Sequence, residues 1–216
     1  MSNHGGIMTN KNKTKFPPLF PKIPQVEDVI MKKSIGFDYL ESKSKKPLDH
    51  RYQNQNSSTI LFLSKRGMSR SPLAREVLRE QISQSPFFGK CQVTSRGVTK
   101  AYDHCPIDGN LRTYADKIGY FLQGYSRFAT VPDLAQADLI IPLDHESEDF
   151  TRVYHTSIIG IVRPFGIFLP TGSLPFLDDP YERNDGTDAS DIYDQIVLSL
   201  KLGCSKILKA IPSLIA

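Results

Sequence analysis

The run Thr59-Ile-Leu-Phe-Leu-Ser64-Lys-Arg-Gly-Met-Ser-Arg70-Ser-Pro-Leu-Ala-Arg75 constrains the fold more than any other part of this chain. Ile60 to Leu63 form a strand-length apolar run that stops at a polar loop, the pattern of a core strand in a parallel sheet. Ser71 then offers a hydroxyl N-cap, and Pro72 falls at the first helical position, where its missing N–H costs nothing. Leu73, Ala74, Val77 and Leu78 recur on one helical face. A loop held between a strand end and a helix start aims several backbone N–H groups and the positive end of the helix dipole at one spot, which suits a dianionic phosphate. Arg70 adds a planar fork that matches two phosphate oxygens. The plainer alternative is an ordinary strand-to-helix junction with a basic loop.

Ser64-x5-Arg70-Ser71-Pro72 resembles the signature of the low-molecular-weight protein tyrosine phosphatases, Cys-x5-Arg-Ser-Pro, with Ser64 at the position of the nucleophilic cysteine. Val93-Thr-Ser-Arg-Gly-Val98 is similar to that family's second strand and its Ser-Ala-Gly turn, and Pro106 to Gly119 to the helix that follows. Arg127 and the run Asp133-Leu-Ala-Gln-Ala-Asp138-Leu-Ile-Ile-Pro-Leu-Asp144 match the family without a gap, and Asp178-Asp179-Pro180-Tyr181 resembles the Asp-Pro-Tyr loop that carries the general acid. The resemblance spans about residues 58 to 212.

What the resemblance implies is a two-step displacement. A thiolate attacks phosphorus, the aspartic acid protonates the leaving phenol oxygen, and water hydrolyses the cysteinyl-phosphate. By this reading Ser64, Arg70 and Asp179 hold the catalytic positions. Lys65, Arg66, Gly67, Met68, Ser69, Ser71 and Tyr181 line the phosphate and substrate site, and Ser95 supports the loop. The field of the loop can lower a thiol pKa well below about 8.5, whereas a serine hydroxyl starts many units higher and gains nothing comparable at neutral pH. Each decade of lost rate corresponds to about 1.4 kcal/mol of barrier, and a loss of several decades is expected.

Other departures point the same way. Arg66 and Gly67 stand where the family loop reads Gly-Asn, and Gly124 stands where it has histidine, so two of four props of the loop are missing. Arg66 either strengthens anion capture or fills the pocket itself. Glu182 replaces a second aromatic, which leaves Tyr181 alone to line one wall for an aryl phosphate, and its carboxylate should repel a phosphorylated substrate at short range.

Three functions stay open. The first is a pseudophosphatase that binds phosphate or the phosphotyrosine of a protein without turnover. The second is an active phosphatase whose cysteine has been replaced by serine to make a substrate trap, or a slow serine-based hydrolase. The third is a scaffold with a closed pocket. The eroded supporting positions favour natural loss of the nucleophile over a single deliberate change. Arsenate reduction needs a relay that begins with a loop cysteine, and Ser64 breaks it.

The 216 residues, 39% of them hydrophobic, suffice for one α/β domain and an appendage. The boundary falls near residue 57. Residues 1–57 read as a basic, largely irregular extension, with Lys11-Asn-Lys-Thr-Lys15, Ser42-Lys-Ser-Lys-Lys46 and the proline-rich Phe16 to Pro24. It reads foremost as a solvated tail, with membrane-surface or protein contact as the alternative, and Phe16 to Ile30 could form a strap and a short helix. Residues 58–216 form the phosphatase-like domain. No apolar run approaches the roughly 18 residues of a membrane span and no signal-peptide core is evident, so cytoplasmic residence is expected. Cys91, Cys105 and Cys204 form no close pair, and the five histidines have no ligand spacing. Neither a metal, a disulfide framework nor a cofactor is expected. No nucleic-acid partner is expected.

The fold class that follows is a four-stranded parallel sheet flanked by helices. Strands are expected at about 59–63, 92–95, 138–143 and 158–162, separated by helix-length stretches. The last helix should begin near Asp188 to Ser190 and run to about Ala210, with Ile192, Ile196, Leu200 and Ile207 facing inward. A ligand belongs at the carboxyl ends of the strands, where Ser64 leads into the loop.

Overall fold

A computed structural model describes residues 57–182 and 189–214. The expected basic extension, apart from Ser57, lies outside the described residues.

The strand read from Ile60 to Leu63 becomes β1 (Ser58–Ser64), the central strand of a four-stranded parallel sheet. It pairs on one side with β2 (Cys91–Gly97) and on the other with β3 (Leu139–Pro142), and β3 carries the two-residue β4 (Ile161–Val162) at the edge, giving the order β2-β1-β3-β4. Between them run α1 (Arg70–Ser83), α2 (Gly109–Lys117), α3 (Val131–Gln136) and α4 (His145–Val153), and α5 (Ala189–Leu214) closes the chain.

Helices cover both faces of the sheet, which is why Ile60 to Leu63 of β1 are apolar at consecutive positions rather than at alternate ones. Ile60 and Phe62 join Leu73 and Val77 of α1 and Ile196 and Leu200 of α5 in the larger core. Leu61 and Leu63 face the other way, onto Leu134 of α3, with Phe150 of α4 packed alongside. All four β1 side chains are at most 1% exposed, and burial of each contributes roughly 1.5–3 kcal/mol relative to an exposed position. The expected inward face of α5 is buried as well, at Ile192, Ile196, Leu200 and Ile207.

Three boundaries differ from expectation. The fourth strand is confined to Ile161–Val162, because His155–Ser157 form a 3-10 turn and Gly160 passes so close to the preceding loop that a Cβ there would lie 2.2 Å from the carbonyl of Ala137. The last helix continues to Leu214 because Ile211 and Leu214 still find the core. Helix α1 begins one residue before Ser71, at Arg70, with Ser69 in the N-cap position.

The order β2-β1-β3-β4 reverses direction between β1 and β3, and in open α/β sheets ligands gather outside the carboxyl ends of the strands at such a point. Two loops meet there: residues 65–69 after β1, and Leu143-Asp144 after β3.

Candidate functional site

Ser64 ends β1 and is buried, with its hydroxyl donating to the Ser71 hydroxyl at 2.9 Å. Ser71 donates in turn to the Arg96 carbonyl of β2 at 3.1 Å. The expectation that Ser71 caps the helix is therefore corrected: its hydroxyl ties the first turn of α1 to the ends of β1 and β2. The N-cap residue Ser69 makes no side-chain capping bond. Pro72 falls at the third helical position, where an N–H would still lack an intrahelical acceptor.

Among the described residues, no hydrogen bond is donated by the backbone N–H groups of residues 66–69. The loop is held through other atoms. The Lys65 N–H donates to Asp144 at 2.8 Å, the Lys65 carbonyl accepts from Val98 and Thr99, and the Met68 carbonyl accepts from the Asp108 N–H at 3.1 Å. Gly67, at φ +71°, sits against the backbone of Gly97. The loop thus keeps a group of unsatisfied donors at the positive end of a 14-residue helix, an arrangement that stabilises an oxyanion.

Arg70 reaches the same place from the first residue of α1. It is 4% exposed and its guanidinium is held from three sides: by the Leu177 carbonyl at 3.0 Å, by Asp179 at 2.9 Å and by Asp144 at 3.0 Å. Its buried Nε has no hydrogen-bond partner. An orphaned charged donor in an interior is costly, and an oxyanion would satisfy it.

Asp179 also accepts from Arg66 at 3.1 Å and from the Tyr181 N–H at 3.0 Å, so both carboxylate oxygens are engaged. The Arg66 guanidinium lies 4.6 Å from the Tyr181 ring centroid and 5.6 Å from that of Tyr102, within cation–π range of both. Burial works against its charge, but a hydrogen bond with Tyr102 and the nearby carboxylate of Asp179 hold its pKa above the ordinary arginine value. Burial raises the Tyr181 phenol above the usual tyrosine range, and its hydrogen bond to Asp108 adds to the effect. Asp108 anchors this wall while capping α2 through the Leu111 N–H at 2.7 Å.

Lys65 bridges Glu146 at 2.7 Å and Glu182 at 2.6 Å, and these two bonds push its ammonium above the ordinary lysine range. The same contact with Lys65 holds the Glu146 carboxyl low. Glu182, expected to repel a phosphorylated substrate, is thus paired with a cation of the loop. Three cations, Lys65, Arg66 and Arg70, face four carboxylates, Asp144, Glu146, Asp179 and Glu182, which leaves the cluster one negative charge in excess.

The structure brings together Ser64 to Ser71, Asp179 and Tyr181. Ser95 differs: its hydroxyl accepts from Arg75 at 3.3 Å, farther along α1, rather than from a residue of the loop. Gly124 takes a left-handed φ of +93° and offers its carbonyl to the Ile107 N–H, so it serves there as a turn. Four side chains carried no assigned role in the sequence: Tyr102, Asp108, Asp144 and Glu146. Asp144 was legible in principle, as an acidic residue at a strand's carboxyl end with Ser147 completing a capping box for α4. Among the described residues no group of His, Cys, Asp and Glu could hold a metal ion.

The family model for low molecular weight phosphotyrosine protein phosphatase matches residues 59–213. The chain belongs to this family. The low molecular weight protein-tyrosine-phosphatase YfkJ of Bacillus subtilis is 24% identical over 159 residues, covering 71% of this chain and 95% of YfkJ. The crystal structure of YfkJ superposes with a TM-score of 0.64 at 20% identity, covering 73% of this chain and 96% of that one. A protein tyrosine phosphatase from Entamoeba histolytica, solved with Hepes in the active site, gives 0.63 at 18% identity, covering 73% and 98%. These likenesses establish the low-molecular-weight phosphatase fold, with its four-stranded parallel sheet. Among the described residues no helix is long and apolar enough to cross a membrane.

Proposed function

We propose that this chain is a catalytically impaired member of its family, a pseudophosphatase that captures phosphate or phosphotyrosine through the loop from Ser64 to Arg70 without turning it over. The observation that carries the reading is the group of four loop N–H groups, residues 66–69, that donate no hydrogen bond among the described residues, at the start of the helix whose first residue is Arg70, itself with an unpartnered Nε. Ser64 sits at the nucleophile position implied by the resemblance, and its hydroxyl is too weakly acidic for the loop to ionise at neutral pH. Asp179, the expected general acid, has both oxygens engaged by donors, so an approach to a leaving group requires one of these contacts to break.

The test pairs binding with turnover. Titration of the full chain with inorganic phosphate and with a phosphotyrosyl peptide should give saturable heat with at least one of them, and Arg70→Ala should abolish it. Release of p-nitrophenol from its phosphate by the same preparation should stay several decades below ordinary enzymatic rates. Rapid release would overturn the impaired reading, and no binding by either ligand would overturn capture.

The second reading, a closed pocket, is favoured by one specific contact. Asp179 occupies Arg70 at 2.9 Å as an internal carboxylate in a cluster already negative by one charge. An anion must displace it, so Asp179→Asn should convert a silent pocket into a binding one.

A further inference from the structure

We infer that Arg66 restricts the oxyanion site to small tetrahedral anions, with inorganic phosphate as the representative, and excludes aryl phosphates. The inference rests on the proposal that the loop captures an oxyanion and chooses between the ligands that proposal leaves open.

An aryl phosphate needs the phosphate cradle and also an aromatic wall beside it. Tyr181 is the only aromatic side chain that the Asp179-Pro180-Tyr181 turn supplies to this wall. Its ring face is covered by the Arg66 guanidinium at 4.6 Å, and Tyr102 approaches the same guanidinium at 5.6 Å. Arg66 thus takes one face of a ring that is 40% exposed overall, bringing the planar, weakly hydrated cation suited to an aromatic face.

The cation is not loosely held. Its side chain is 18% exposed, it contacts Asp179 at 3.1 Å, and its second amino group lies 3.9 Å from Glu182. Tyr181 is tied at its backbone, where its N–H donates to Asp179 at 3.0 Å, the same carboxylate that holds Arg66. The opening on the other side of Arg70 is a cleft of about 260 Å³ lined by Asp144, Glu146, Asp178, Asp179 and Glu182, with Phe176 against His145. A ligand entering from there meets those carboxylates together with the apolar Leu174, Pro175 and Leu177, and the one aromatic pair on that side, Phe176 and His145, is stacked on itself. A compact anion needs neither surface: it has only to satisfy the Arg70 Nε and the loop N–H groups.

The experiment compares inorganic phosphate with phenyl phosphate by calorimetric titration of the full chain, as found and as Arg66→Ala. The unaltered protein should bind phosphate at least tenfold more tightly than phenyl phosphate. Arg66→Ala should lower that ratio by tenfold or more, because the face of Tyr181 becomes free. Equal affinities in the unaltered protein would overturn the inference while leaving oxyanion capture standing, and so would a ratio that Arg66→Ala does not change. Binding of neither ligand by either protein would overturn the capture proposal itself and this inference with it.

Discussion

Gly67 and Gly97 touch through their backbones: a Cβ on Gly67 would lie 2.6 Å from the Gly97 nitrogen, and one on Gly97 would lie 2.6 Å from the Arg66 carbonyl oxygen. This contact seats the loop of residues 65–69 on the end of β2, and it leaves no room for a side chain on either partner. Gly67 is doubly constrained, since its φ of +71° costs an alanine about 1–2 kcal/mol before any clash. Gly67→Ala and Gly97→Ala should each lower the urea midpoint, by at least about 2 kcal/mol of stability once the overpacking is included. Gly109, at the start of α2 with open space around its Cβ position, is the control. Gly109→Ala should be neutral or stabilising by up to about 1 kcal/mol.

Asp144 meets three partners with one side chain. One oxygen accepts from the Ser147 N–H to cap α4, and the other accepts from the Lys65 N–H and forms an ion pair with Arg70 at 3.0 Å. Asp144→Ala removes half of the carboxylate pairing of a buried guanidinium, and a loss of about 3–5 kcal/mol is expected from an interior ion pair broken on one side. Asp144→Asn keeps a cap and one acceptor oxygen, so about 1–3 kcal/mol is expected. Equilibrium denaturation of both variants checks the order, and equal losses would show that Asp144 acts only through its charge.

The fold was legible because its signals are local. The apolar run of β1 and the apolar helical face from Leu73 to Leu78 each act within a few residues, and the long spacings between strands leave room for the crossover helices that a parallel sheet requires. The start of α1 was misread for an instructive reason: every N–H in a first helical turn lacks an intrahelical acceptor, so Pro72 is equally comfortable at the first or the third position. What decides is the Ser71 hydroxyl, drawn to Ser64 and to Arg96 on a strand 25 residues away. The ionic cluster was legible only as an inventory of residues. Lys65 meets Glu182 across 117 positions and Arg70 meets Asp179 across 109, and no spacing in the chain announces such pairs. The contacts of Arg66 were illegible for the same reason, since Tyr102 and Asp179 lie 36 and 113 positions away from it.

The acid limb of stability should carry a signature of Asp133. Burial alone would raise its carboxyl, but hydrogen bonds from Arg96 and Thr130 outweigh it and hold the pKa below the ordinary aspartate value. A carboxyl lowered on folding contributes stability that is fully present above its unfolded pKa, near 4. That contribution is lost as pH falls through the lower folded value. Asp133→Asn should therefore be less stable than the parent at pH 6, and the difference should shrink steadily between about pH 4 and pH 2. Denaturation midpoints across that range measure it; a constant gap would mean that the capping geometry, not the charge, matters.

Placing sulfur at residue 64 should not by itself produce an aryl phosphatase. The loop N–H groups and Arg70 should lower the pKa of a thiol introduced by Ser64→Cys, since positive fields stabilise thiolates. That variant should alkylate with iodoacetamide faster than the parent's Cys91 or Cys204, both of whose thiols burial pushes above the usual range. Its hydrolysis of p-nitrophenyl phosphate should nevertheless remain low, because Arg66 covers Tyr181 and shares Asp179 with Arg70. Combining Ser64→Cys with Arg66→Ala uncovers the ring and removes one of the two guanidinium groups on Asp179. The double variant should exceed Ser64→Cys alone by tenfold or more, about 1.4 kcal/mol of barrier, with a burst of phenolate release in stopped flow. Residues that share a partner couple in this way, so the gain should be absent when Arg66→Ala is made on the serine background. If Ser64→Cys alone already matches the double variant, Arg66 does not guard the site.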